Sequence, residues 1–185
     1  MDVQFAIVRA GSGSFGAAWT SDGIVGTWMH DRTEERTRRQ ILRAFPAGSE
    51  AVPPPAVASA MADVVALLLG ERRSIAADLD MRGIPAFDRR VYEVALTIPP
   101  GETMTYGAVA RALGEEPMAA RDVGRSLARN PFAPIVPCHR IVAANGRLGG
   151  YSAPGGASTK RRLLELEGAA IVAAPLVQPG LFDSP

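Results

Sequence analysis

The sequence predicts an α/β (α+β) fold, in which a small sheet-and-helix domain precedes a mostly helical domain that contains a helix-turn-helix. Strand-like runs with short glycine turns open the chain, and apolar residues at helical spacing dominate after residue 86. Hydrophobic residues make up 47% and charged residues 21% of the chain, as in globular proteins. We expect one domain over 1–80, a second over 87–170 and a tail over 171–185.

The N-terminal elements follow from composition and turn residues. Four runs have the character of strands: 3–9, 15–20, 24–29 and 74–80. The turn Ser21-Asp22-Gly23 joins the second run to the third as a hairpin. Asp31 or Thr33 can cap a helix over 34–45, and a strongly apolar helix over 56–69 ends at Gly70.

The C-terminal elements are mostly helices bounded by proline and glycine. The predicted helices are 87–97, 106–113, 118–129 and one that starts at 158. The middle two, separated by a short turn, form a helix-turn-helix. An Asn-Gly turn at 145–146 predicts a hairpin over 141–151. We expect the charges of Lys160, Arg161 and Arg162 to form a solvated face of the last helix.

Positive charge concentrates in the second half of the chain. The net charge of +1 argues against a general nucleic-acid coat protein. Residues 1–86 hold nine basic and ten acidic side chains, whereas 87–168 hold eleven and eight. Arg121, Arg125 and Arg129 lie four apart, so they form a basic stripe on one helix face. The stripe is either a solvated face or, given the helix-turn-helix, a nucleic-acid surface.

Cys138 is the only cysteine of the chain, and it precedes one of only two histidines, His139. The proline-bounded apolar run around it predicts a buried, extended segment. One interpretation is a small buried hydrophobe beside a structural histidine. The other is a thiolate nucleophile whose proton a nearby imidazole accepts. Neighbours on an extended strand face opposite sides, so cooperation of the two side chains requires a turn or a bridging water.

Several other classes of protein are excluded by the sequence. A single cysteine cannot form an intramolecular disulfide or a zinc site with two thiolates. We therefore expect no metal, and a free thiol fits a reducing cytoplasm. No apolar run is long enough to span a membrane, and no secretion signal is evident at the N-terminus. The glycine-rich stretch 149–156 lacks the Gly-Lys-Ser/Thr of a phosphate loop.

The stretch Pro-Cys-His-Arg-Ile-Val at 137–142 resembles the active-site signature of the O6-alkylguanine-DNA alkyltransferases, the methylated-DNA–protein-cysteine methyltransferases. The resemblance covers roughly 87–168 and includes Ile-Pro-x-Gly-Glu-x-x-x-Tyr-Gly at 98–107. It implies DNA repair by direct, stoichiometric alkyl transfer from O6-alkylguanine, and from O4-alkylthymine, to Cys138. The transfer inactivates the protein and needs no cofactor. Some relatives hold zinc in the N-terminal domain, but this chain lacks the cysteines for it.

The resemblance also implies chemical roles around the thiol. Cys138 is the nucleophile and alkyl acceptor, and His139 takes its proton through a water. Glu167 orients the histidine; Glu165 is its nearest rival, but Gly168 fits Glu167 to the motif better. Asn130 ties the helix-turn-helix to the active-site segment, and it can serve as a helix C-cap as well.

For DNA, the resemblance implies a recognition helix in the minor groove and a nucleotide flipped out of the duplex. Arg121 fills the gap that the flipped nucleotide leaves, and Arg125 belongs to the same basic stripe. The remaining positions expected at the DNA or the base are Tyr106, Ala119, Ala120, Gly124, Ile141, Tyr151 and Ser152. Tyr106 helps to swing the nucleotide out, the carbonyls of Cys138 and Ile141 accept from the guanine amine, Tyr151 packs on the base and Ser152 contacts O6.

Two alternatives to alkyl transfer remain open at this point. Alkyltransferase-like proteins bind and flip the lesion without reacting, but they replace the cysteine that is present here. A cysteine hydrolase with Cys138, His139 and Glu167 is a third possibility. We expect a monomer that binds double-stranded DNA, with cooperative binding along it possible. Gln178 to Phe182 resemble the peptide with which bacterial repair proteins bind the sliding clamp, which predicts a second partner.

Overall fold

The computed structural model describes residues 2–11, 13–31, 33–71 and 74–170. Its N-terminal half contains a four-stranded sheet. Its strands are β1 (Gln4–Ala10), β2 (Gly13–Thr20), β3 (Gly23–Asp31) and the short β4 (Ser49–Glu50). Their order is β3-β2-β1-β4, with β4 parallel to β1 and the other pairs antiparallel. The three long strands and the hairpin turn confirm the predictions from sequence, as does the α/β class.

The prediction of a strand over 74–80 is wrong. Only Leu79 forms a bridge in this segment, with Ile24 at the start of β3. Ile24 N–H donates to the Asp78 carbonyl at 2.8 Å, and Asp80 N–H donates to the Ile24 carbonyl at 2.9 Å. Alternate side chains, Ile75, Ala77 and Leu79, pack against the core. The alternation of apolar residues over 74–80 therefore reflects burial of one side of the segment, whereas pairing with the sheet is limited to Leu79.

Six helices complete the described chain, and all lie close to the predicted positions. They are α1 (Glu34–Ala44), α2 (Pro55–Leu68), α3 (Ala86–Leu96), α4 (Tyr106–Ala112), α5 (Ala120–Ala128) and α6 (Gly156–Leu166). Of the two candidate caps for α1, Thr33 accepts from the backbone N–H of Arg36 at 3.3 Å. Gly70 and Gly114, which follow α2 and α4, have positive φ angles of 96° and 75° that glycine adopts without strain.

The two faces of the sheet have different neighbours. On one face, α1 covers a small cluster that contains Phe5 and Ile41. On the other face, Phe15 belongs to a large cluster that also contains Tyr92 of α3 and Phe132, beyond α5. The Tyr92 and Phe132 rings meet edge to face, with their centroids 6.4 Å apart. The core is therefore continuous between the N-terminal and C-terminal halves.

The helix-turn-helix prediction corresponds to α4 and α5, which a 3₁₀ turn at Pro117–Ala119 joins. Two ion pairs fix this unit to α3. Arg129 binds the buried carboxylate of Asp88 through two guanidinium nitrogens, at 2.8 and 3.1 Å. Arg90 pairs with Glu115 at 3.3 Å and donates to the Leu113 carbonyl. Because Arg129 is paired with Asp88, the basic stripe of α5 consists of Arg121 and Arg125 without Arg129.

The predicted hairpin over 141–151 is also wrong. The short strand β6 (Ile141–Val142) pairs in parallel with β5 (Met104–Thr105), which lies directly before α4. A turn does form at Ala144–Gly146, closed by a 2.7 Å hydrogen bond from Ala143 N–H to the Arg147 carbonyl. The Asn-Gly pair thus predicts the turn, but β6 pairs with a strand more than thirty residues earlier in the chain.

The predicted absence of a membrane span and the predicted clamp-binding peptide concern parts of the chain that the structure describes only partly or not at all. Within the described ranges, no helix is both long and apolar enough to cross a membrane. The predicted clamp-binding peptide between Gln178 and Phe182 lies outside the described residues, so the sliding clamp stays a prediction, as do the monomeric state and cooperative binding.

A shared core predicts that both halves unfold together, in one cooperative transition. The two tryptophans, Trp19 and Trp28, report on the sheet, while Cys138 reports on the C-terminal half through its reactivity with a thiol reagent. In a urea titration we expect tryptophan fluorescence and thiol exposure to have the same midpoint. Two separated midpoints would show that the halves are independent units and would contradict this account.

Candidate active site

Cys138 begins a 3₁₀ turn, Cys138–Arg140, at the centre of the C-terminal half. Its N–H donates to the Val136 carbonyl at 2.8 Å, and Arg140 N–H donates to the Pro137 carbonyl at 2.9 Å. The prediction of an extended segment is wrong here, although the predicted burial is observed: Cys138 is 5% and His139 0% exposed. The turn removes the strand alternation that would have placed neighbouring side chains on opposite sides.

Asn130 connects the end of α5 to this turn. Its side-chain Nδ2 donates to the Val136 carbonyl at 3.0 Å, and its Oδ1 accepts from Phe132 N–H at 2.9 Å. The backbone N–H of Asn130 donates to the Leu127 carbonyl at 3.3 Å, so the residue also closes the helix. Both interpretations of Asn130 therefore have a contact to support them.

A buried carboxylate joins His139 to Arg140. Glu167 Oε1 lies 3.0 Å from His139 Nε2 and accepts from Arg140 Nη2 at 2.7 Å, while Oε2 accepts from Arg140 Nε at 3.0 Å. Arg140 Nη1 donates to the Ile98 carbonyl at 2.5 Å. Glu167 is buried and follows the last turn of α6, whereas its rival Glu165 is exposed. Glu167 is thus the carboxylate that contacts the histidine.

These contacts set the protonation of the network. Burial alone would raise the pKa of Glu167, but the hydrogen bonds from His139 and Arg140 outweigh it and lower that pKa to about 2. Burial lowers the pKa of His139, and its bond to Glu167 offsets this only in part. The imidazole is therefore neutral at pH 7, with Nε2–H donating to Glu167. The buried Nδ1 has no hydrogen-bond partner among the described residues and is available as an acceptor.

The thiol is neutral in the same environment. Burial raises the pKa of Cys138, and the nearby Asn130 amide and Lys160 charge offset this only in part. Tyr151 stands beside the thiol: burial, followed by the charge on the sulfur, raises its pKa well above the usual value. A thiol in this setting is unreactive until its proton is removed.

Lys160 of α6 is fully buried, contrary to the predicted solvated face. Its Nζ donates to the Ile141 carbonyl at 2.5 Å and to the Gly150 carbonyl at 3.3 Å, and it lies 3.4 Å from the Tyr106 hydroxyl. Burial lowers the pKa of Lys160 to about 8. The helical spacing 160, 163, 164 and 167, which places Lys160 on the face of Leu163, Leu164 and Glu167, could have revealed it from sequence.

A cavity of about 420 Å³ opens above Cys138. Its lining contains five of the residues predicted to touch DNA or the base: Tyr106, Ala120, Gly124, Tyr151 and Ser152. The Ile141 carbonyl, which is predicted to accept from the guanine amine, already accepts a hydrogen bond from Lys160. Hence the structure places most of the predicted base contacts in one pocket with the thiol.

The predicted DNA-contacting arginines lie outside that cavity. Arg121 and Arg125 are exposed on α5, where Arg125 pairs with Asp122 at 2.7 Å. Arg121 has no ion pair with any side chain in the described part of the chain. Ala119 lies half-buried against the core at the start of the helix. As for metal ligands, the described residues contain no cluster of three or more suitable side chains.

The buried ion pairs of Glu167 predict a stability contribution with a defined pH window. Since the folded-state pKa is about 2 and the ordinary value 4.5, the contribution is complete above pH 4.5 and is lost as the pH falls toward 2. We expect Glu167→Gln to lower the free energy of unfolding by about 3 kcal/mol at pH 7, because Arg140 loses its buried partner. In urea titrations the difference from wild type should shrink between pH 4.5 and 2, whereas Glu165→Gln should change little at either pH.

Comparison with known proteins places this site in a family. Residues 86–169 match the family model described as the 6-O-methylguanine DNA methyltransferase DNA-binding domain. A methylated-DNA–protein-cysteine methyltransferase of Mycobacterium tuberculosis is 46% identical over 114 residues, which are 62% of this chain and 67% of the relative.

Solved structures extend the match to nearly the whole chain. The crystal structure of the M. tuberculosis O6-methylguanine methyltransferase is 36% identical with a TM-score of 0.70, covering 90% of this chain and 93% of that one. A crystal structure of the M. tuberculosis protein in complex with DNA has a TM-score of 0.70 at 34% identity, covering 89% and 92%. From the matched sequence and from the fold, the chain belongs to the methylated-DNA–protein-cysteine methyltransferase family.

Proposed function

We propose that this protein repairs DNA by moving the alkyl group of O6-alkylguanine to the sulfur of Cys138. The observation that carries the proposal is a buried thiol on the wall of a roughly 420 Å³ cavity, next to a neutral imidazole that Glu167 and Arg140 hold. The carbon–sulfur bond forms as the bond from O6 to the alkyl carbon breaks. O4-alkylthymine presents the same alkyl–oxygen bond on a smaller ring, and we propose it as a second substrate.

The proton path begins at the thiol. His139 Nδ1 accepts the Cys138 proton through a bridging water, and the ionised Glu167 stabilises the imidazolium that forms. Arg140 holds the other edge of the carboxylate, so the imidazole ring keeps its orientation. The guanine departs as an anion and takes up one proton, which balances the proton that His139 accepts, so it leaves as the normal base.

The product explains why one protein molecule acts once. The sulfur becomes a thioether, which is neither a thiolate nor a group that water hydrolyses readily. Regeneration would require breaking the carbon–sulfur bond. The reaction consumes no cofactor, because the thiolate itself accepts the alkyl group.

Access to the pocket requires the damaged nucleotide to leave the duplex. Gly124 lies on the wall of the cavity, and an added Cβ there would stand 3.8 Å from the Tyr106 ring. Small residues on this side of α5 let the helix approach the DNA backbone in the minor groove. Arg121, exposed in the first turn of α5, occupies the space of the extruded nucleotide. The cost of extrusion is smallest for a mispaired or damaged base, so the lesion favours its own selection.

Two other outcomes would identify a different function. A lesion sensor would bind the alkylated base without forming a bond to sulfur. A cysteine hydrolase would release its product and turn over. The position of Cys138 inside the cavity favours alkyl transfer over the sensor.

Intact-mass measurement after mixing the protein with duplex DNA that carries one O6-methylguanine tests the transfer. We expect the mass to rise by one methyl group per protein molecule and then stop, because the thioether is final. Cys138→Ser should show no gain. Lesion-selective binding without a mass gain in wild type would identify a sensor, and repeated turnover would identify a hydrolase; either result contradicts the proposal.

Arg121 and Arg125 provide a charge-matched pair for testing extrusion. Each change to Ala removes one positive charge from α5, so both should weaken non-specific binding and its salt dependence similarly. We expect only Arg121→Ala to slow methyl transfer at saturating DNA, by about tenfold or more, because a flipped nucleotide costs a few kcal/mol to hold. Single-turnover kinetics would measure this. Equal rates for the two variants would refute the assigned role of Arg121.

A further inference from the structure

We infer that Thr27, in the edge strand β3 of the N-terminal sheet, is a positioning residue for alkyl transfer: it holds the segment that leads to Cys138. The inference rests on the proposed function and adds a role for the N-terminal half. All the residues with a proposed chemical role lie in the C-terminal half, yet the N-terminal sheet bonds directly to the segment before Cys138. Thr27 provides that link through its backbone and its side chain.

Three polar contacts join Thr27 to Pro131 and Ala133, more than one hundred positions later. Its N–H donates to the Pro131 carbonyl at 2.8 Å. Its Oγ1 lies 2.7 Å from the Ala133 carbonyl and 3.2 Å from the Pro131 carbonyl. A hydroxyl has one hydrogen, which the shorter contact to Ala133 uses best. Thr27 therefore holds two carbonyls, those of Pro131 and Ala133, in the segment that leads to the active-site turn.

Asn130 holds the same segment from its other end. Its side chain binds Phe132 N–H and the Val136 carbonyl, and Val136 in turn accepts from the N–H of Cys138. Residues 131–136 are thus fixed to α5 by one side chain and to the sheet by another. A continuous path therefore runs from Thr27 to the Ala133 carbonyl, along three residues of backbone to Val136, and from the Val136 carbonyl to the N–H of Cys138.

Thr27 itself is held by strand pairing and by the packing of its neighbour. Thr27 lies within β3, where it pairs with Ala17 of the central strand β2. The neighbouring Trp28 packs against Phe45 on the opposite face, with ring centroids 6.1 Å apart. A residue in a paired strand positions a hydroxyl more accurately than a residue in a loop does, and a small displacement of a nucleophile lowers the reaction rate.

Thr27→Val is the informative change. Valine keeps the β-branched shape and the backbone N–H bond to Pro131, and it removes only the hydroxyl. The Ala133 carbonyl, half-buried, then loses its partner. We expect the rate constant for methyl transfer at saturating DNA to fall about tenfold, while the DNA concentration for half-maximal rate stays within about twofold because α5 is untouched.

The comparison needs three further proteins. Thr27→Ser retains the hydroxyl and should restore the rate to within about twofold of wild type. Thr97→Val removes a threonine hydroxyl that donates to the Val94 carbonyl at 2.7 Å, in an exposed position at the end of α3, and should transfer at the wild-type rate. Cys138→Ser defines the background. The final mass gain of Thr27→Val should still be one methyl group per molecule, since every molecule retains its nucleophile.

The outcomes separate this inference from the proposed function. If wild type gains no methyl group, the proposed function fails. If wild type reacts and Thr27→Val reacts at the same rate, only the role of Thr27 is overturned. A lower final mass gain at an unchanged rate would indicate partial unfolding, a purely structural role, and would also overturn it. A slower rate with a full final gain and rescue by serine supports it.

Discussion

The buried carboxylate of Glu167 is the interaction on which the rest of the site depends. An ionised group without exposure to water is stable only where charges and hydrogen bonds compensate it. Here the compensation comes from His139 Nε2 and two nitrogens of Arg140. Because these partners are consecutive residues, the chain must turn at Cys138–Arg140, and the end of α6 must lie against that turn. The position of the thiol follows from meeting this electrostatic requirement.

The same helix supplies a second buried charge, and the pocket is built around it. Lys160 lies two turns before Glu167 on one face of α6, and it contacts the carbonyls of Ile141 and Gly150. It also lies 5.5 Å above the centroid of the Tyr106 ring. One lysine thus connects β6, the glycine-rich loop and the start of α4. Its charge favours a thiolate at Cys138, although burial keeps the resting thiol protonated.

Signals within a few residues of each other were sufficient to predict most of the fold. The turn at Ser21-Asp22-Gly23, the cap at Thr33 and the glycine at position 70 fixed strands and helices to within about two residues. The roles of Cys138, His139 and Glu167 came from a motif, and the geometry brings His139 and Glu167 into contact.

The predictions that failed depend on partners distant in the chain. β6 pairs with β5, Leu79 meets Ile24 at one point, and Lys160 is buried because carbonyls of other segments surround it. The turn at Cys138 is closed by local backbone bonds, but Asn130 holds Val136 just before it and Glu167 holds His139 within it. Local composition carries no information about such contacts. Only the helical register of Lys160 with Glu167 gave a usable sign.

The most direct test of this account is the ultraviolet absorbance of the thiolate as a function of pH, measured as wild type minus Cys138→Ser. The account requires a thiol that is neutral at rest and is activated by a neighbouring base. We expect the titration midpoint of the free protein to lie above about pH 8.5, the ordinary value for cysteine. A midpoint below about pH 7 would show a preformed thiolate, which would contradict the role given to His139 and Glu167.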